Sequence, residues 1–156
     1  MSGHRSEVLH ATALSIGGCG VLILGESGSG KSDLALRCLA LGPGKLLPAP
    51  FELISDDRTE VSLEDEAVII TAPPAIAGKL EVRGVGIVDV PHAKQARLCM
   101  VVQLTDLDVE RYPALSPVSG EILGRPFRLI SMRPFEASAP IKLAMALQDL
   151  VTSKEF

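Results

Sequence analysis

Aromatic residues are nearly missing from this chain: four Phe, one Tyr and no Trp in 156 residues. A core must therefore come from Leu, Val, Ile and Ala, and an apolar content of 47% supplies enough of them. Cysteine is sparse as well. Cys19, Cys38 and Cys99 stand far apart, with no CxxC and no metal-ligand spacing. They read as buried or free thiols in a reducing compartment, which points to a cytoplasmic protein. No apolar run approaches the roughly 20 residues of a membrane helix, and the opening MSGHRSEVLH lacks the apolar stretch of a secretory signal. Basic clusters are missing too: the formal net charge is −4 with signs mixed along the chain, which argues against a nucleic-acid binder. There is no internal repeat and no low-complexity tract, and the length suits a single domain over residues 1–156.

What is present is a series of short apolar segments punctuated by Gly and Pro. Residues 8–16 read as a strand, with a turn at Gly17-Gly18, and residues 20–24 as a short buried strand. From Lys31 to about Leu41 the apolar positions recur at helical spacing, and Gly42-Pro43-Gly44 ends that helix. Residues 45–50 read as a connector. FELIS is a strand ending in Asp56-Asp57, and EVSLEDEAVIITAP suits a hairpin. Residues 79–90 alternate apolar positions between glycines, residues 97–104 make a strong strand, and 128–132 a late one. The Pro- and Gly-rich stretch 111–127 reads as mostly loop, and the chain after Pro140 as a terminal amphipathic helix. Many short strands with two helices give an α/β fold, α+β-like, with a mixed sheet.

Residues 25–32, GESGSGKS, match the Walker A pattern of a P-loop. Its spacing has a physical cause. Glycines let the backbone turn tightly and aim successive N–H groups at phosphate oxygens, and the following helix presents its positive end to the same anion. Gly25, Glu26, Ser27, Gly28, Ser29, Gly30, Lys31 and Ser32 are therefore the candidate nucleotide-binding residues. Lys31 would reach the terminal phosphates, and the Ser32 hydroxyl would take a Mg²⁺ position. The plainer alternative, a Gly-rich strand-to-helix turn, has no need of the Lys-Ser pair.

Further candidates lie outside the loop. Adjacent acids in a strand point to opposite faces, so Asp56 and Asp57 could divide the work between a metal and an acceptor; a polar turn is the alternative. His10 is the only His on a candidate strand near the loop, in parity with Val8, Leu14 and Ile16; a half-buried structural His is the plainer reading. Glu81 and Arg83 share one face of a strand, where an exposed ion pair is the alternative.

Taken together, these residues resemble the catalytic domain of the HPr kinase/phosphorylase family. The resemblance covers roughly residues 8–150 and rests on His10 at its spacing ahead of Gly25, the G-E-S-G-S-G-K-S loop, the strand ending in Asp56-Asp57, the run Glu81-Val82-Arg83-Gly84-Val85-Gly86-Ile87, and Met132-Arg133-Pro134 before the last helix. It implies a P-loop core related to phosphoenolpyruvate carboxykinase and the short, catalytic-domain-only form of the enzyme. It implies ATP and Mg²⁺ as cofactors, and the phosphocarrier protein HPr, or a protein like it, as partner. The implied activity is protein-serine phosphorylation, reversed in the family by phosphorolysis, in control of the sugar phosphotransferase system. It further implies ring-like hexamers. By position, Ser32, Glu81 and Asp56 would hold the metal, Asp57 would be the base, and His10, Lys31 and Arg111 would be catalytic. The sequence departs from the family at residues 89–99 and at Phe135-Glu136-Ala137, segments that serve acceptor docking and the reverse reaction in the family. A small-molecule kinase and a nucleotide-binding regulator without transfer are the competing readings.

Overall fold

Residues 5–112 and 118–153 are described in the computed structural model of the chain. The first strand pair sets the frame. β1 (Ser6–Leu9) leads through His10 into β2 (Ala11–Ile16), which turns at Gly17 and Gly18 into β3 (Cys19–Leu24). Both turn glycines have positive φ, 58° and 82°, which explains why Gly occupies both places. Every residue of β2 is buried. Leu14 and Ile16 enter one apolar cluster and Ala11 and Ala13 another, so β2 runs between two cores. A strand covered on both faces reads as an unbroken apolar run, which is why residues 11–16 and 20–24 lack clean alternation.

Next come α1 (Lys31–Leu39), β4 (Phe51–Ser55), β5 (Thr59–Glu64), β6 (Ala67–Thr71) and a 3₁₀ turn at Pro74–Ile76. The hairpin of β7 (Lys79–Val82) and β8 (Gly86–Asp89) is a separate two-stranded sheet. The long β9 (Gln95–Leu104), the β10 (Val118–Ile122) and β11 (Arg125–Met132) hairpin, and α2 (Ala139–Ser153) complete the described chain.

The main sheet runs β1-β5-β6-β9-β3-β2-β4. It is mixed: β9 is parallel to both β3 and β11, and the remaining pairs are antiparallel. Opposite β3, the edge of β9 is shared. β6 pairs with its first residues (95–97) and β11 with its last (100–104). One core cluster lies under α1 and α2, with Leu34, Ala35, Cys38, Leu143, Ala144 and Leu147 packed on Leu14, Val21, Ile23 and Val102. The other lies under β5 and β6, around Leu22, Ile54, Val61, Ile70 and Val101. Among the described residues no helix is long and apolar enough to cross a membrane.

Three sequence expectations need correction. Residues 8–16 are two strands broken at His10, because β1 pairs with β5 while β2 pairs with β3 and β4. His10 is thus exposed in a bend instead of half-buried at strand parity. The stretch 111–127 carries β10 and the start of β11, a hairpin that its Gly and Pro content concealed; residues 113–117 lie outside the described chain. Arg83 falls in the turn after β7, so it does not share a strand face with Glu81.

Candidate active site

Strand pairing brings the sequence-identified residues together. Ala11 pairs with Leu24, which sets His10 beside the start of the glycine-rich loop. Ala13 pairs with Ser55, which sets Asp56-Asp57 beside Thr12. The loop then delivers Lys31 and Ser32 as the first residues of α1.

Loop geometry is fixed by glycine. Gly28 and Gly30 have φ of 84° and 102°. A Cβ on Gly25 would lie 2.3 Å from Ser29 Oγ, so the loop closes tightly on its first glycine. No side chain caps the N-terminus of α1, which leaves its first amides for an external acceptor. Ser29 Oγ is buried and has no hydrogen-bond partner. Lys31 is buried as well. Its Nζ donates to the carbonyl oxygens of Gly25 (2.7 Å) and Glu26 (3.1 Å) and lies 4.0 Å from Asp57 Oδ1.

The two acids differ sharply in setting. Asp56 is buried and ties three elements together. Ser32 Oγ (2.6 Å) and Thr12 Oγ1 (3.2 Å) donate to its Oδ1, and the Glu81 amide donates to its Oδ2 (3.1 Å). A buried carboxylate needs such partners, and these three supply them. Asp57 points the other way, half-exposed, with Oδ1 2.7 Å from His10 Nε2. The division arises from the backbone. Both acids lie beyond the last residue of β4, and Asp57 has φ of 67°, a left-handed conformation that Asp tolerates better than most residues. Its N–H donates to Thr12 Oγ1 (3.1 Å), which holds the turn. Strand alternation, the expected cause, plays no part.

Two cavities flank the loop. One, of about 390 Å³, is lined by Gly30, Lys31, Ser32, Asp57, Glu81 and Arg83, among others. The second, of about 700 Å³, lies against Glu26–Ser29 and is closed by segments 103–106 and 133–136. Phe135 lines both. Its ring stands over the loop: a Cβ on Gly30 would meet Phe135 Cζ at 2.8 Å. Arg37 donates to the carbonyl oxygens of Pro134 and Glu136, and Lys142 Nζ lies 2.9 Å from Glu136 Oε1, which holds the Glu136 carboxyl below its ordinary pKa.

The structure therefore gathers His10, Lys31, Ser32, Asp56, Asp57 and Glu81 around one loop. It does not bring Arg111 to them. Arg111 is exposed in the segment after β9 and lines neither cavity. Thr12, Arg133 and Phe135 were not singled out as site residues from sequence. Thr12 carried no signal, being one residue of an apolar strand, whereas Arg133 lay in the landmark Met132-Arg133-Pro134 and Phe135 in the departure Phe135-Glu136-Ala137. Among the described residues no three His, Cys, Asp or Glu side chains converge as a metal cage.

Comparison with known proteins adds a lineage. Residues 4–112 match the family described as the HPr Serine kinase C-terminal domain. The HPr kinase/phosphorylase of Lacticaseibacillus casei (strain BL23) is 43% identical over 83 residues, which are 53% of this chain and 24% of that protein. That of Lactiplantibacillus plantarum is 40% identical over 104 residues, covering 66% of this chain and 30% of the relative. The chain thus spans less than a third of the length of these curated relatives. The solved Hpr(Ser) kinase/phosphatase from Coxiella burnetii shares the fold, with a TM-score of 0.76 at 24% identity over 96% of this chain and 93% of that one.

Proposed function

Since the chain belongs to the HPr serine kinase C-terminal domain family, we propose that it is an ATP-dependent kinase for a seryl hydroxyl of HPr or an HPr-like phosphocarrier protein in the cytoplasm. The observation that carries this reading is Asp57 Oδ1, 2.7 Å from His10 and 4.0 Å from Lys31, on the cavity that opens beside the glycine-rich loop. The core is read as a P-loop core of the phosphoenolpyruvate carboxykinase type, in one domain over residues 1–156. Two apolar clusters that both draw on β2, β3 and β9 support a single unit.

The residues present fit a nucleotide with Mg²⁺. The uncapped start of α1, the unpartnered Ser29 hydroxyl and a buried Lys31 whose Nζ donates to two loop carbonyls favour an anion in the loop. Ser32, Glu81 and Asp56 would hold the metal, with Asp56 acting through the Ser32 hydroxyl that it orients. Bound Mg²⁺ supplies neutralisation of charge on the phosphoryl oxygens. Loop amides and Lys31 would offset the rest, so that catalysis is chiefly positioning and electrostatics. The seryl oxygen attacks the γ-phosphorus, the bond to the bridging oxygen breaks, and Asp57 takes the seryl proton. His10, bonded to the same carboxylate oxygen, orients it. In phosphorolysis inorganic phosphate would attack the phosphorus of phosphoserine, the bond to the seryl oxygen would break with release of pyrophosphate, and Asp57 would return the proton to that oxygen.

Transfer of labelled phosphate from ATP·Mg²⁺ to purified HPr tests this, with HPr lacking the target serine as control. Serine-dependent label is expected. Saturable ATP binding without label on any acceptor would favour a nucleotide-binding regulator instead.

A further inference from the structure

The chemistry above leaves the larger cavity unused. Glu26, Asp106, Glu136 and Arg133 are its ionisable lining residues. Three carboxylates thus stand against one guanidinium, and that guanidinium already pairs with Asp108 at 3.2 Å. Such a lining repels a polyphosphate and suits the uncharged parts of a ligand, with carboxylates able to accept from hydroxyls or an amino group. The cavity is continuous with the loop through Glu26, Ser27, Gly28 and Ser29, so a molecule with its phosphates in the loop would extend into it. Its volume of about 700 Å³ lies in the range of small-molecule sites.

Phe135 supplies the recognition surface. It is one of only five aromatic residues in the chain, yet it is 69% exposed. Its backbone is not free to bury it. Arg37 from α1 holds the carbonyls on either side, and Lys142 from α2 pairs with the adjacent Glu136. An exposed aromatic ring on a backbone tethered at both neighbours, at the edge of the loop, is a stacking platform, and every nucleobase has a π-face to match it.

We propose that Phe135 stacks on the base of the nucleotide, and that it sets the preference of this site for a base-bearing triphosphate over a bare polyphosphate. The inference rests on the nucleotide reading above, and its test separates the two. Titration calorimetry on the intact chain compares ATP·Mg²⁺ with tripolyphosphate·Mg²⁺ for wild type and Phe135→Ala. The substitution should weaken ATP by about tenfold or more, the scale of one lost base stack, and leave tripolyphosphate unchanged. Unchanged ATP affinity, or an equal loss for both ligands, would overturn the stacking role and leave the nucleotide reading standing. No binding of either ligand to wild type would overturn both. Phe135→Trp gives a second readout, because the chain has no Trp. Its fluorescence should be quenched by ATP and not by tripolyphosphate. ATP binding without quenching would also overturn the assignment.

Discussion

On one side of the glycine-rich loop stand Lys31, Ser32, Asp57 and Arg83, and on the other Glu26, Asp106, Glu136 and Arg133, with Phe135 between them. The first side sets two cations, Lys31 and Arg83, and the hydroxyls of Ser27 and Ser32 among Asp33, Asp57 and Glu81; the second sets Arg133 alone against three carboxylates. They also differ in origin. The first is assembled by adjacent strands β2, β3 and β4, whose order sets His10, Thr12 and Asp57 within a few ångströms. The second depends on distant segments, 103–106 and 133–136, brought to the loop because β9 is parallel to both β3 and β11. Parallel strands end at the same edge of a sheet, so their following loops meet there. In the proposal above such a site divides its labour: one half handles charge and the other identifies the molecule that carries it.

The largest break in this comparison should come from Lys31→Ala. It removes the only buried cation described beside the loop, and transfer should fall by about 10³-fold or more in a phosphate-transfer assay. Next is the contrast within the acid pair. Asp56→Ala leaves Ser32, Thr12 and the Glu81 amide without their shared acceptor, and urea unfolding should show a loss of about 3 kcal/mol. Asp57→Gly relieves a left-handed Asp and removes a short pairing with exposed His10 and a longer one, 4.0 Å, with buried Lys31. Its stability should stay within about 1 kcal/mol of wild type while transfer is lost. On the second side, Arg37→Ala frees the Phe135 segment, and ATP affinity should fall several-fold by calorimetry while tripolyphosphate binding holds. The smallest effect concerns pH. Lys142 lowers the Glu136 pKa from 4.5. The stabilisation from this pair is therefore present above pH 4.5 and lost as pH falls through the lowered value. Lys142→Ala should move the Glu136 titration upward, as followed by carboxyl NMR.

Legibility in the sequence divides along the same line. The loop motif, the acid pair and the two helices depend on local spacing, and reading the residues in order reached them. His10 was found for its spacing, although the strand break that exposes it comes from β1 leaving for β5, a choice made by tertiary pairing. The split between Asp56 and Asp57 was anticipated with the wrong cause, since a turn with positive φ carries no signal separate from Asp itself. Arg111 was implied only by its position in the family resemblance, and in the segment after β9 it lines neither of the loop's two cavities. The β10 and β11 hairpin hid behind Gly and Pro. The second cavity could not be read at all, because no local pattern says that residues 103–106 and 133–136 meet.

The central claim is that the charged side of the loop moves a phosphoryl group onto a seryl oxygen with Asp57 as base. The most direct measurement is a single-turnover time course of label from ATP·Mg²⁺ onto HPr, run in parallel on wild type and Asp57→Asn, with ATP affinity measured on both. Serine-dependent label with wild type, slowed by about 10²–10⁴-fold in the variant at unchanged ATP affinity, is the predicted result. Equal rates in the two proteins would contradict the role given to Asp57, and no serine-dependent label from a wild type that binds ATP would contradict the kinase itself.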